Sequence, residues 1–554
     1  MPTALMQHYL STWEEMAADG SQFEMTDITV RGVPMRVFKN APPTMRAFWE
    51  LTAGYADRDY IVYEDERFTY AEVAASVRSL AHHLRDAHGV GSGDRVAISM
   101  RNFPEWVMTY WATVSLGAAV VGMNAWWTSE EMKFGLNDAQ PKVVIVDDER
   151  LERLLPVLDE IRADVALHVM SVRSDRDLPD NCSRWSDVVD ASNAPAELPP
   201  ADIDPDDDAC IFYTSGTTGF PKGAQLTHRG SVHNVMNLVF MSLTAAAAEA
   251  KAKAAGDIEG KEMGNLTDPA SQPVYMAPTP LFHVTANNCL LQPCTLVGGK
   301  IVLTYKWDPG RALELIEREG VTSIKLFMAY PGAYYSDDGQ ILRAMQVAGD
   351  LGVMTMMHAE NGIAIDVLRA QAIAKGDTDP VFHGLTRPPE LEGEATHRAV
   401  QLAKVAGDAP LYIVHLSASD ALEEVARARH RGQNVFAETC PQYLWLSLEE
   451  HLAQPGFEGA KWVCSTPLRS SHEHHQRDLW TGLKNDDLAV VSTDHCPFCM
   501  KDQKELGIGD FTAIPNGIGG VEHRMELMYQ GVVNGEITLE RWVETCCTTP
   551  ARLF

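Results

Sequence analysis

The chain has 554 residues, of which 45% are apolar and 22% charged, and its formal net charge is −30. This length and composition predict a globular protein with more than one buried core. The acidic balance argues against a nucleic-acid or anionic-membrane surface, because a negative field repels phosphates, and it favours small-molecule partners. Ten cysteines without a disulfide-framework spacing, and the lack of a secretory leader pattern, predict a reduced, cytoplasmic protein.

The region before residue 205 alternates predicted strands and helices. Short β-rich runs lie at Arg95–Met100 and Lys142–Val146, and Tyr70–Asp86 has the apolar spacing of a helix. Trp106–Ser129 is uncharged and long enough for a membrane span, but its internal glycines divide it into a buried helix and a strand. The alternation predicts a mostly parallel α/β sheet and no membrane span, with an acidic, proline-rich linker at Pro199–Asp208.

A Ser/Thr/Gly-rich loop follows the predicted strand that begins at Ile211. Glycines let the backbone approach an anion, hydroxyls and amides donate hydrogen bonds, and Lys222 supplies positive charge. A flexible turn is the structural alternative, and a Walker loop is excluded because the lysine follows Pro221 rather than a glycine. The candidate nucleotide-binding residues are Thr214, Ser215, Gly216, Thr217, Thr218, Gly219 and Lys222.

The segment YTSGTTGFPKGAQLTH, residues 213–228, closely resembles the phosphate-binding signature of the AMP-forming acyl-CoA synthetases. Pro280–His283 resembles the second motif of that family, whose aromatic or histidine position, here His283, borders the acyl pocket. The resemblance covers residues 30–320 and implies an adenylate-forming α/β domain that uses ATP, Mg²⁺, a carboxylic acid and CoA. The family's later motifs and its C-terminal lid domain find no match after Gly320, so the implied ligase is incomplete.

In the second half, polar residues of metal-binding or catalytic type are predicted to follow apolar runs closely, with Lys325 at a strand end. The runs are Ser323–Phe327, Val353–Met357, Leu411–Val414 and Leu488–Val491, with Asn434–Ala437 as a further strand. The polar residues are Lys325, His358, His415 and Asp494. The carboxyl ends of strands in a (β/α)₈ barrel open on one mouth, so this series predicts convergence in space, whereas isolated core histidines are the alternative. A desolvated Lys325 would become usable as a carbamate metal ligand.

From Val321 onward the chain closely resembles the dihydropyrimidinase and hydantoinase branch of the amidohydrolases. The matching segments are SIKLFMAYPG, MHAENG, YIVHLS, AETCPQYL, VCSTPLR, STDHCPF and PNGIGGVEHR. The resemblance implies a partial (β/α)₈ barrel that binds Zn²⁺, in which Lys325 is a carboxylated lysine bridging two ions. It further implies that His358 and His415 ligate one zinc, and that Asp494 ligates the other while acting as general acid or base.

The same resemblance implies the substrate contacts. Tyr330 would polarise the developing oxyanion, and Ser465 and Asn516 would hold the amide edge of a cyclic substrate. The residue types suit this reaction, because a cyclic amide resists water until a metal polarises its carbonyl and a carboxylate moves the proton. Family resemblance also implies a homo-oligomer.

Two parts of the amidohydrolase pattern find no match. The family's HxH zinc ligands would precede Lys325, and the sequence His472–His474 is predicted to be a solvated helix start rather than that pair. The family's small β-sandwich would follow Phe554. The resemblance therefore implies one zinc site with three protein ligands and a second site with weak or no zinc.

The sequence thus predicts a two-part chimera. Residues 1–320 form an AMP-binding, acyl-CoA-synthetase-like region, and residues 321–554 form a dihydropyrimidinase-like barrel portion, with the predicted strand Gly299–Tyr305 packed beside the Lys325 strand. Three functions remain open. They are zinc-dependent hydrolysis of a cyclic amide, impaired by truncation; ATP-dependent activation of a carboxylic acid to an acyl-CoA; and an inactive fusion of two gene fragments.

Overall fold

The chain divides into two compact units, Gln7–Trp307 and Asp308–Phe554, the latter grouped with Met1–Met6. The structure is a computed structural model. It describes residues 4–214, 221–257, 272–277, 279–306, 311, 314–315, 318–319, 323–332, 334–501 and 503–553. The predicted boundary at residue 320 lies within the second unit, among residues outside the described ranges.

The strands of the first unit form a hairpin and two larger sheets. In chain order they are β1 Met25–Val30, β2 Val33–Phe38, β3 Asp59–Tyr63, β4 Glu66–Thr69, β5 Arg95–Ser99, β6 Ala119–Gly122, β7 Val143–Asp147, β8 His168–Val172, β9 Cys182–Arg184, β10 Asp208–Thr214, β11 Lys222–Thr227, β12 Val274–Ala277 and β13 Lys300–Leu303. β1 pairs with β2, and the seven-stranded sheet has the order β11-β10-β6-β5-β7-β8-β9. All its pairings are parallel except β10 with β11, so the predicted mostly parallel sheet is confirmed.

The first unit also contains helices, and several of them begin at a side-chain cap. They are Ala4–Ala17, Met45–Glu50, Tyr70–His88, Pro104–Val114, Ser129–Ala139, Asp148–Leu154, Leu158–Asp164, Trp185–Val188, His228–Ala255, Val284–Ala286 and Gln292–Leu296. Helix Tyr70–His88 begins at a capping box between Thr69 and Glu72 and ends at Gly89, whose φ of 61° suits a left-handed cap. Its buried residues include Val73, Val77, Leu80 and Leu84, one apolar stripe at helical spacing.

The uncharged stretch Trp106–Ser129 supplies a helix and a strand, as predicted. Helix Pro104–Val114 buries the Trp106 and Trp111 side chains completely, and β6 follows it as an inner strand. Within the described residues, no helix combines the length and apolarity that a membrane crossing requires. The apolar character of this stretch is therefore explained by the core of the first unit.

The predicted partner of the strand near residue 300 is wrong. β13 lies between β12 and β3 in the four-stranded sheet β12-β13-β3-β4, and it is parallel to both neighbours. Ile301, Val302 and Leu303 are fully buried there. Both hydrogen-bonding edges of β13 are thus occupied in the first unit, which leaves no edge for the Lys325 strand.

The second unit contains a five-stranded parallel sheet whose spatial order equals its chain order. Its strands are β14 Ser323–Phe327, β15 Met354–His358, β16 Leu411–Ile413, β17 Val435–Thr439 and β18 Val490–Val491. The helices are Asp338–Leu351, Gly362–Lys375, Phe382–Leu385, Pro389–Val405, Ser419–His430, Pro441–Trp445, His475–Lys484, Arg524–Val533, Leu539–Val543 and Thr549–Leu553. Sequential parallel strands joined through helices place all carboxyl ends on one edge, where the candidate site lies.

Candidate active site

Two predicted ligands meet at the carboxyl edge of the second sheet. His358 is the last residue of β15, and His415 follows β16 by two residues. Their ring centroids are 4.5 Å apart with an interplanar angle of 67°. Both side chains are buried, so neighbouring parallel strands bring together two histidines that are distant in sequence.

A buried carboxylate fixes the ring of His358. Nε2 of His358 lies 2.7 Å from Oε2 of Glu360, and Ser465 Oγ donates to the same oxygen at 3.3 Å. Burial acts to raise the pKa of Glu360, but the hydrogen bond from His358 and nearby cationic side chains outweigh it and lower the pKa to about 2. Glu360 is therefore an anion that orients the imidazole. The sequence prediction missed it, although it stands in the quoted MHAENG segment.

The backbone around His415 is held on both sides. Its N–H donates to Glu438 Oε1 at 3.1 Å, its carbonyl accepts from Thr466 Oγ1 at 2.9 Å, and its φ is 39°. Among the described residues, the buried ring nitrogen Nδ1 has no hydrogen-bond partner. Burial, together with His358 and the charge of Lys325, holds the pKa of His415 well below its ordinary value. The ring is neutral, which is the form that binds metals.

Lys325 differs from its predicted setting. It lies in the middle of β14, an edge strand, and its side chain is exposed rather than desolvated. Its Nζ sits 5.1 Å from the centroid of the Phe327 ring. In β14 alternate side chains point to opposite faces, and the burial of Ile324 and Leu326 on the other face contrasts with the exposure of Lys325.

Asp494 lies three residues after β18, with a φ of 45°. Surrounding protein raises the pKa of its carboxyl although solvent still reaches the side chain, and the charges of Lys325 and His358 oppose that rise. Asp494 therefore interacts electrostatically with Lys325 and His358. A carboxyl with a raised pKa exchanges protons more readily near neutral pH than an ordinary one.

The histidine pair has two features of a metal site. A metal-ligating histidine commonly donates its other ring N–H to a carboxylate, as His358 does to Glu360. The second feature is Nδ1 of His415, which has no hydrogen-bond partner among the described residues and could bind a metal. In the described part of the chain, however, no group of three His, Cys, Asp or Glu side chains is arranged to hold a metal ion. A lysine ammonium cannot bind a metal, because it has no free lone pair.

Two of the three predicted substrate contacts, Tyr330 and Ser465, lie close to Glu360. The Tyr330 ring centroid is 5.2 Å from that of His358, and burial, followed by the charge of Glu360, raises the pKa of Tyr330 to about 12. Ser465 is buried and donates to Glu360. Asn516 is half-buried, and the next residue, Gly517, donates its N–H to the Val463 carbonyl at 3.0 Å. The segments that carry Ser465 and Asn516 are thus in direct contact.

A buried ionic network supports the loops at this edge. Glu392 accepts from Ser417 Oγ and from Arg469 Nη2, each at 2.6 Å, and both charged side chains are almost completely buried. Arg469 also donates to Ser417 Oγ at 3.0 Å. The network joins helix Pro389–Val405 to the chain just after His415. Nothing in the local sequence distinguishes Glu392 from the exposed acids of that helix.

The remaining predicted residues lie outside this group. His472–His474 is exposed and immediately precedes helix His475–Lys484, in agreement with a solvated helix start. In the first unit, Thr214 ends β10 and pairs in register with Lys222, which begins β11. Ser215, Gly216, Thr217, Thr218 and Gly219 lie outside the described residues. His283 is exposed, and its Nδ1 accepts the Thr285 N–H at 3.2 Å at the start of helix Val284–Ala286.

Comparison with known proteins supports two separate relationships. Residues 48–330 match the family described as AMP-binding enzyme. A D-hydantoinase of Streptomyces coelicolor is 63% identical over 254 residues, which are 46% of this chain and 54% of the relative. A D-hydantoinase of Geobacillus stearothermophilus is 50% identical over 242 residues, 44% of this chain and 50% of the relative. The chain spans about half the length of these curated relatives.

A solved structure is similar to this chain over the same share of its length. A D-hydantoinase from Bacillus sp. AR9 is 46% identical, covers 44% of this chain and 53% of its own, and has a TM-score of 0.43. Both family resemblances stated from the sequence are confirmed.

Proposed function

We propose that this chain, which belongs to the AMP-binding enzyme family, carries in its second unit a metal-dependent hydrolase site for a cyclic amide of the hydantoin or dihydropyrimidine type. The observation that carries the proposal is the buried pair of His358 and His415, with one ring fixed by Glu360 and the other left with an unpartnered nitrogen. The sequence identity to D-hydantoinases supports the proposed substrate class. This identity extends over about half of the length of those relatives.

Lys325 as a carbamate, His358 and His415 would hold the metal, with Asp494 facing a second, weaker position. Carbamylation gives Lys325 an anionic ligand group and removes the ammonium charge that opposes a cation. Zinc bound there would polarise the ring carbonyl and provide a water of lowered pKa.

The chain's own residues would complete the reaction. The Asp494 carboxylate would accept the water proton and return it to the leaving ring nitrogen. Tyr330, protonated at neutral pH because its pKa is about 12, would donate a hydrogen bond to the developing oxyanion. Ser465 and Asn516 would hold the amide edge of the ring. The exposure of Lys325 on an edge strand supports an impaired rate, because solvent competes with the metal for its carbamate.

The test combines metal analysis with ring opening. After loading with zinc and bicarbonate and removal of excess metal, we expect about one zinc per chain and measurable opening of dihydrouracil or hydantoin. Lys325→Ala should abolish both, whereas Lys484→Ala, at an exposed lysine of the same unit, should leave both unchanged. Absence of bound zinc and of ring opening in the unaltered chain would refute the proposal.

ATP-dependent activation of a carboxylic acid to an acyl-CoA is the second candidate. It is favoured by the family match and by the position of Lys222 beside the strand end at Thr214. The test is acid-dependent exchange of pyrophosphate into ATP in the presence of Mg²⁺. Exchange that is lost in Lys222→Ala and kept in Lys306→Ala, at an exposed lysine, would support this activity.

An inactive fusion of two gene fragments is the outcome if both tests fail. Limited proteolysis that cuts near residue 320 and releases two fragments without metal would support that reading. The proposed family regions are residues 1–320 and 321–554. The proposed homo-oligomer is tested separately, by light scattering of the full chain.

A further inference from the structure

A buried lysine connects the two segments that carry the proposed substrate contacts. Lys504 is 1% exposed, and its Nζ donates to the Val463 carbonyl at 2.8 Å and to the Pro515 carbonyl at 2.6 Å. Val463 lies two residues before Ser465, and Pro515 directly precedes Asn516. One ammonium group therefore joins both segments at their entry to the site.

The setting of this ammonium is energetically demanding. Removing a charged amine from water is strongly unfavourable unless hydrogen bonds replace its hydration. The two carbonyls do so in part, and the Phe498 ring centroid lies 5.4 Å from Nζ. Burial lowers the pKa of Lys504 to about 8. An apolar residue of similar length would avoid this cost, so the lysine is explained best by the geometry that it enforces.

The surrounding backbone leaves little space for adjustment. The Val463 carbonyl also accepts the Gly517 N–H at 3.0 Å, and the Cys496 N–H donates to the Ile518 carbonyl at 3.1 Å. A Cβ atom at Gly517 would lie 2.3 Å from the Cys496 carbonyl oxygen. The segments at 463 and 517 are thus packed backbone against backbone. Lys504 joins the same two segments by donating to the Val463 and Pro515 carbonyls.

We propose that Lys504 is a positioning residue that sets the separation between the Ser465 and Asn516 segments, and so determines how tightly a ring amide edge is held. The inference rests on the proposed function, since these two segments are the proposed substrate contacts. Lys504 itself touches neither the substrate nor the reacting atoms. Its effect acts on binding through the two carbonyls that it holds.

The experiment compares Lys504→Met, which fills the same volume without donors, with Lys504→Arg, whose planar group can still bridge two carbonyls. Lys484→Met is the matched control at an exposed lysine. Amide hydrogen exchange is followed at residues 461–468 and 513–519, and steady-state kinetics are measured with dihydrouracil. We expect Lys504→Met to accelerate exchange in both segments and to raise KM on the order of tenfold, with kcat and zinc content nearly unchanged. Lys504→Arg should restore most of both.

The outcomes separate this inference from the proposed function. Unchanged exchange and unchanged KM in Lys504→Met would overturn the inference, as would a fall in kcat alone. Hydrogen exchange can be measured without turnover. If the unaltered chain opens no ring but Lys504→Met accelerates exchange in both segments, the proposed hydrolase is refuted and the positioning role of Lys504 is retained. If Lys504→Met does not fold, Lys504→Gln, which keeps one donor group, replaces it. Faster exchange in both segments and a raised KM with unchanged kcat would then support the inference, and unchanged exchange and KM would overturn it.

Discussion

Nε2 of His358 lies 2.7 Å from Oε2 of Glu360, and both side chains are 2% exposed. This contact joins a residue that the sequence singled out to one that it did not. Ser465 donates to the same carboxylate, so Glu360 connects the proposed metal ligand with the proposed substrate segment. The Glu360 carboxylate thereby fixes the positions of His358 and Ser465 relative to each other.

Neutralising Glu360 should weaken metal binding without removing a ligand. We expect Glu360→Gln to lower zinc affinity roughly 10- to 100-fold. The reason is that a neutral amide replaces the anionic acceptor that orients the His358 ring. The measurement is competition with a chromophoric chelator. Glu390→Gln, at an exposed acid of helix Pro389–Val405, is the control, and equal affinities of the two variants would contradict the prediction.

The Glu392–Arg469 pair should be a major determinant of stability in the second unit. Glu392→Gln leaves the buried Arg469 guanidinium without its charge partner, and we expect a loss of about 3–5 kcal/mol in the free energy of unfolding. Glu423→Gln removes the surface pair with Arg427, where the carboxylate is 72% exposed, and should cost less than about 1 kcal/mol. Urea titrations followed by far-UV circular dichroism would measure both, and similar midpoints would refute the prediction.

The stability of the first unit should fall in mild acid. Burial lowers the pKa of His228 to about 4, and its Nδ1 accepts the Met45 N–H at 3.1 Å. Because the folded pKa is below the unfolded value near 6.5, the unfolded chain binds more protons between these limits, and stability decreases as the pH falls from about 6.5 to 4. The contribution of His228 is on the order of 3 kcal/mol at the acid end.

His228→Asn tests this pH dependence, since the amide oxygen can accept the same N–H without titrating. We expect a flatter stability profile between pH 7 and 4 than in the unaltered chain, measured by urea midpoints. His472→Asn, at an exposed histidine, should leave the slope as it is. A slope that is the same in both variants would show that His228 is not the titrating group.

Gly122 should resist even the smallest side chain. A Cβ atom at this last residue of β6 would lie 2.8 Å from the Phe212 ring and 3.2 Å from the Phe282 carbonyl oxygen. We expect Gly122→Ala to destabilise the first unit by about 1–3 kcal/mol, because the packed core has to shift. Gly91→Ala, where nothing lies within 4 Å of the new atom, is the control for thermal unfolding. Equal midpoints would contradict the packing argument.

Local patterning predicted the five strands of the second unit and several elements of the first unit. The five apolar runs after residue 320 correspond to β14–β18 within about two residues, which is the usual accuracy of strand boundaries. Helix Tyr70–His88 and the helix and strand of Trp106–Ser129 were also predicted, because apolar spacing and caps are local properties. The partner of β13 was not, since strand pairing depends on which distant edge is free.

The sequence by itself determined the chemistry available to this protein: the residue types at the strand ends, the loop before Lys222 and the two family relationships. Only the tertiary structure decided their environments. It left Lys325 exposed on an edge strand, buried Glu360 against His358, and set Lys504 between two carbonyls. The physical reason is that a motif specifies groups along the chain, whereas burial, charge state and contact distance are set by neighbours that the chain brings in from elsewhere.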